Sequence, residues 1–81
     1  MGTKAQHVAG YRAVPALLKD MRLAANLTQR DVGERLKRPQ SWVHNCETAN
    51  RRVDIAEFIE WCGACEVDPV KALQQLLDEL A

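Results

Sequence analysis

No stretch of the 81 residues is apolar and long enough to span a bilayer, and no signal-peptide layout opens the chain. The expected compartment is the cytoplasm. Cysteine is scarce and odd in number: three thiols cannot all pair internally, so reduced cysteines are the simpler expectation. Glycine is equally sparse, four in all, and none lies in a phosphate-cradling loop. There is no Ser–His–acid arrangement and no pair of carboxylates set for acid–base work. Strand alternation, internal repeats and low-complexity tracts are also missing. These absences argue against an enzyme, a membrane protein and a disulfide scaffold. The length fits one small domain with a modest core and no separate ligand-sensing domain.

A net charge of zero is the last absence, and it hides an asymmetry. Residues 1–53 carry ten basic against four acidic side chains, a net of +6. Residues 54–81 carry one basic against seven acidic, a net of −6. A basic region of this kind suits phosphate, with the acidic end held away from it. Chance clustering of solvated charges is the bland alternative. The basic residues coincide with the motif described next, which favours the functional reading.

The hydrophobic pattern has a helical period throughout. Residues 1–10 show none, and 1–12 are expected to form a flexible arm ahead of a domain over 13–81. Helix 1 is expected from Pro15 to about Ala25, because proline suits a first helical position. Val14, Leu17, Leu18, Met21 and Ala25 form its stripe, and Asn26 can end it in a left-handed conformation. Thr28 can cap helix 2, with Asp31 completing a capping box and Val32 and Leu36 facing inward. Gly33 costs roughly 1 kcal/mol of helix propensity relative to Ala. It is expected where helix 3 crosses closely.

Lys37 and Arg38 form a tight turn, and Pro39 opens helix 3 over about Gln40 to Thr48. Val43 and Cys46 or Glu47 are expected to face inward, with Gln40, Ser41, His44 and Asn45 facing out. Asp54 and Glu57 cap helix 4, whose expected stripe is Ile55, Phe58, Ile59 and Cys62. Trp61 falls off that stripe, either against helix 5 or exposed as a partner anchor. Helix 5 starts at Asp68-Pro69 and carries Val70, Leu73, Leu76, Leu77 and Leu80 on one side. Two short helices joined by a tight turn, each opened by glutamine (Gln29 and Gln40), are the layout of a helix-turn-helix. Its second helix enters the DNA major groove. The fold class is thus all-α, with five helices and the motif at helices 2 and 3.

Leu27-Thr28-Gln29, Gly33, Leu36, Pro39-Gln40-Ser41-Trp42-Val43 and Glu47 together resemble the Cro/CI-type, or XRE-type, helix-turn-helix domains of phage repressors and small bacterial regulators. The likeness runs over about residues 13–80 and implies a lambda-repressor-like domain, encoded by a bacterium or phage. Arg38 to Ser41 and Arg51 to Asp54 match a subgroup of that family. The resemblance implies base contacts from Gln40, Ser41, Asn45 and His44. It implies phosphate contacts from Gln29, Arg38, Thr28, Arg51 and Arg52, and a structural ion pair between Arg22 and Glu47. It departs from the family at Lys37 and Glu66, where glycine is common, and at His44-Asn45-Cys46.

Each assignment has a plainer alternative. Gln40, Ser41 and His44 are also ordinary surface residues, and Trp42 is as well suited to bracing helix 3 as to touching a thymine methyl. Cys62 and Cys65 with His44 and Cys46 count as four zinc ligands. However, His44 and Cys46, two apart on a helix, point to nearly opposite sides. No metal or cofactor is expected. One such module reads few bases, so the expected function is a sequence-specific regulator, a repressor, acting as a homodimer on an inverted repeat. Leu73, Leu76, Leu77 and Leu80 are its expected dimer surface. The rival is a protein-interaction module, such as an antitoxin, bound to another protein through the same scaffold.

Overall fold

The computed structural model describes residues 2–81, with side chains from Tyr11 onward. Its helices are α1 (Gly2–Ala24), α2 (Gln29–Leu36), α3 (Gln40–Glu47), α4 (Ile55–Ala64) and α5 (Pro69–Leu80), with no strand among the described residues. The core gathers Leu17, Leu18 and Met21 from α1, Val32 from α2, Val43 and Cys46 from α3, Phe58, Trp61 and Cys62 from α4, and Ala72 from α5. Every helix contributes, so the short ones are held by shared burial rather than by their own propensity.

Three details differ from the sequence reading. Helix 1 starts at Gly2 and not at Pro15. Pro15 therefore sits inside a helix and offers no N–H to the carbonyl of Tyr11. On the N-terminal side of that break, Tyr11 meets the loop that follows α3. The Tyr11 hydroxyl donates a long bond, 3.5 Å, to the Ala49 carbonyl. The Arg52 guanidinium lies 4.6 Å over the Tyr11 ring.

The second correction is the phase of α4. Ile55 and Ile59 are 65% and 50% exposed, while Phe58, Trp61, Cys62 and Cys65 are buried. Trp61 is therefore neither an exposed anchor nor peripheral. It lies at the centre of the core, and its Nε1 donates to the Leu18 carbonyl at 3.1 Å. Both stripes obey helical spacing and share Phe58 and Cys62, so periodicity alone does not choose between them. Burying the large indole decides the rotation.

The third is α5. Ala72 is buried and Leu76 packs against the core, but Val70, Leu73, Leu77 and Leu80 face outward.

The scarcity of glycine shows at the helix ends. Asn26, Lys37, Ala49 and Glu66 all take positive φ (60°, 58°, 65° and 58°), and no described glycine does. After α2, Arg38 N–H donates to Gly33 O at 2.8 Å and Lys37 N–H to Glu34 O at 3.3 Å, the paired bonds of a Schellman motif. The same pair ends α4, with Val67 N–H on Cys62 O and Glu66 N–H on Gly63 O. A left-handed conformation costs a side-chain-bearing residue roughly 1–2 kcal/mol, of which glycine's extra chain entropy gives back about half. Lys37→Gly and Glu66→Gly are each expected to stabilise the fold by about 0.5–1 kcal/mol. Thermal unfolding followed by circular dichroism checks this. A fall in Tm for both variants would refute the strain.

Candidate nucleic-acid interface

The turn between α2 and α3 is tight because nothing projects from Gly33. A Cβ there would sit 2.7 Å from the Arg38 carbonyl oxygen. Capping fixes the start of α2. Thr28 Oγ1 accepts from Asp31 N at 3.0 Å, and Asp31 Oδ2 accepts from Thr28 N at 2.8 Å. These bonds hold the Asp31 carboxyl below its ordinary range. Thr28 keeps its O–H proton for a further acceptor. Pro39 takes the N-cap position of α3 and gives no side-chain cap bond.

With Val43, Cys46 and Glu47 buried, the opposite side of α3 faces out. Gln40, Ser41 and His44 are exposed there, and Asn45 is half-buried. Helical spacing puts the four on one side of the helix.

The inward side of α3 is tied down by charge. Arg22 Nε donates to Glu47 Oε2 at 2.6 Å and Arg22 Nη2 to Glu47 Oε1 at 3.0 Å. A third donor reaches the same carboxylate, Gln29 Nε2 to Oε1 at 3.1 Å. Arg22 Nη1 also donates to the Leu27 carbonyl at 3.0 Å. The Glu47 hydrogen bond is the main reason the Arg22 guanidinium titrates above its usual value. One carboxylate thus joins α1, α2 and α3. In this arrangement the Gln29 amide is turned to Glu47.

A second cluster, which the sequence reading did not assemble, lies at the flank of α3. Two guanidinium groups lie over Trp42, Arg38 at 4.7 Å and Arg51 at 5.1 Å from its ring centre. Below, it meets Trp61 at 6.1 Å between centroids. Glu57 binds both arginines. Arg51 Nη1 and Nη2 donate to its two carboxylate oxygens at 3.0 Å each, and Arg38 Nη2 lies 3.8 Å from Oε2. Arg51 Nη1 also donates to the Arg52 carbonyl at 2.7 Å. Arg51, read from the resemblance as a phosphate contact, is here engaged with Glu57, and Arg52 leans on Tyr11. Trp42 Nε1 is buried without a hydrogen-bond partner among the described residues. Such an orphan costs about 1–3 kcal/mol. The paired cations over the ring act in the opposite direction. The role of Glu57 is hard to see in sequence because the capping box with Asp54 already accounts for a glutamate there.

No group of three or more His, Cys, Asp or Glu among the described residues is placed to hold a metal ion. Cys46, Cys62 and Cys65 are buried free thiols, and burial pushes Cys65 up to about 11. No described helix is long and apolar enough to cross a membrane.

A family model described as a helix-turn-helix domain matches residues 15–74. Among solved structures, an XRE-family like protein from Pseudomonas syringae pv. tomato str. DC3000 is 42% identical, with a TM-score of 0.89 over 95% of this chain and 94% of that one. The chain belongs to the XRE family of helix-turn-helix domains. No curated protein matches it. An XRE-type domain is typical of DNA-binding regulators rather than of enzymes, and α3 is the second helix of its helix-turn-helix.

Proposed function

We propose that the protein is a sequence-specific double-stranded DNA-binding regulator, a repressor, that reads an inverted repeat as a homodimer in the cytoplasm. The observation that carries this reading is the recognition helix itself. Its polar side (Gln40, Ser41, His44, Asn45) is exposed, while its other side is locked by the Arg22–Glu47–Gln29 bonds. Rigid mounting of an exposed amide is what bidentate base reading requires. Gln40 is the reader of adenine N6 and N7, with Ser41, His44 and Asn45 on adjoining base edges. Arg38, Arg52, Gln29, Thr28 and the uncapped N-terminus of α3 hold phosphates and set the register. Arg51 adds its charge from within the Glu57 pair.

The reading calls for a second copy because one module contacts too few bases for selectivity. The surface for it is wider than α5. Leu73, Leu77 and Leu80 are joined by Val70 of the same helix and by Ile55 and Ile59 of α4, all exposed. Leu76 is partly spent on the core. The same apolar side is what would serve a heterologous partner such as a toxin, so oligomeric state is part of the test.

Selection from a randomised duplex library at near-physiological salt tests the whole reading. The expected product is an inverted repeat with half-sites about one helical turn, ~34 Å, apart. Retention with no enriched motif would overturn base reading, and no retention would overturn DNA binding. A single half-site bound by a protein that sediments as a monomer would overturn the dimer. On the selected site, Gln40→Ala is expected to cost about 1–3 kcal/mol and to relax preference at one position. Equal loss on every sequence would contradict a base contact.

A further inference from the structure

We propose that Glu57 is a positioning residue that sets DNA specificity: it fixes Arg38 and Arg51 over the Trp42 ring and withholds part of their charge from DNA that does not fit. The inference rests on the reading above that α3 faces the major groove. Glu57 belongs to α4, outside the helix-turn-helix, yet its carboxylate is the junction of both arginines that flank α3. Its side chain is 12% exposed, against 40% and 38% for Arg38 and Arg51. The acid is therefore inside and the cations outside.

The two pairs are unequal. Arg51 is held bidentately at 3.0 Å, a geometry that fixes direction as well as distance. Arg38 is held loosely, at 3.8 Å by one nitrogen. Arg51 is thus the fixed member and Arg38 the one that exchanges Glu57 for a phosphate when the groove is correctly seated. Hydrogen bonds from Arg51 and from the Asp54 backbone hold the Glu57 carboxyl below its ordinary range, so it stays ionised at neutral pH.

The electrostatic consequence has a definite sign. With Glu57 ionised, two guanidinium groups share one countercharge beside the recognition helix. Without it, both cations are free for any phosphate within reach. Non-specific affinity is phosphate-driven and follows the number of contacts, whereas specificity needs a fixed posture. Removing the carboxylate raises the first and lowers the second.

The test is Glu57→Gln, whose amide oxygen still accepts from Asp54 N and keeps the start of α4. Binding is measured on the selected operator and on random duplex across a salt series, with thermal melts to confirm folding. Random-duplex affinity is expected to rise roughly three- to tenfold, with the salt slope steeper by about one. The operator-to-random ratio falls by about tenfold. A parallel loss on both DNAs with an unchanged slope would mean a merely structural role and overturn the proposal. No change on either DNA would do the same. Arg51→Lys is the second variant, because it keeps the charge and removes the bidentate lock. It is expected to lower the ratio without changing the slope, and an unchanged ratio would refute the proposal even if Glu57→Gln fails to fold. Wild-type protein that finds an operator but shows none of these variant effects sinks this inference alone. Wild-type protein that binds no DNA sinks the DNA reading, and this inference with it.

Discussion

Glu47→Ala is expected to cost about 3–5 kcal/mol, the usual penalty for stranding one member of a buried ion pair. The Arg22 side chain is 10% exposed and that of Glu47 only 2%. Removing the carboxylate leaves a guanidinium inside the protein with only the Leu27 carbonyl as partner, and deprives Gln29 of its acceptor. A domain of this length is stabilised by only about 4–12 kcal/mol in total. The variant is therefore expected to lose a large fraction of its stability and to melt at a markedly lower temperature. Urea denaturation followed by circular dichroism measures it. A loss below about 1 kcal/mol would show that Arg22 finds water or another partner. Replacing both residues by apolar ones of similar volume, Arg22→Met with Glu47→Leu, should recover most of the stability. The functional value of the pair lies in its directionality, since three hydrogen bonds from two helices converge on the last residue of α3.

Trp61→Ala is expected to cost about 3–5 kcal/mol, the range for deleting a large core aromatic. Trp61 has no exposed surface, and it bonds across to the Leu18 carbonyl. It is also the floor on which Trp42 rests. The cavity left behind loosens the ring over which Arg38 and Arg51 lie, so operator affinity should fall beyond what the unfolded fraction explains. Trp61→Phe, which keeps part of the volume, should cost distinctly less. If Trp61→Ala were tolerated within about 1 kcal/mol, the placement of the indole at the core's centre would be wrong.

Much of the scaffold was legible because its signals are local. The Thr28–Asp31 and Asp54–Glu57 boxes mark helix starts through bonds spanning three residues, and Asn26 marks a stop through its own tolerance of positive φ. The outward residues of α3 follow from the inward ones by helical spacing once Val43 is placed inside. The start of α1 was not legible. Pro15 is a good first residue and a poor interior one, yet the helix runs through it, with Tyr11 set against the 49–52 loop. The rotation of α4 was equally hidden, because two stripes of correct period overlap on one helix.

The sequence by itself therefore determined the five helices, the capped starts of α2, α4 and α5, the tight turn at Lys37 and the side of α3 that meets solvent. Each depends on chemistry within a few residues along the chain. Tertiary structure alone decided which side of α4 is buried, that Trp61 is central, that Leu76 of α5 is turned to the core while Leu73, Leu77 and Leu80 are not, and that Glu57 meets two arginines from either side of α3. These depend on volume and charge brought together from positions far apart in sequence, where periodicity carries no information about what lies opposite.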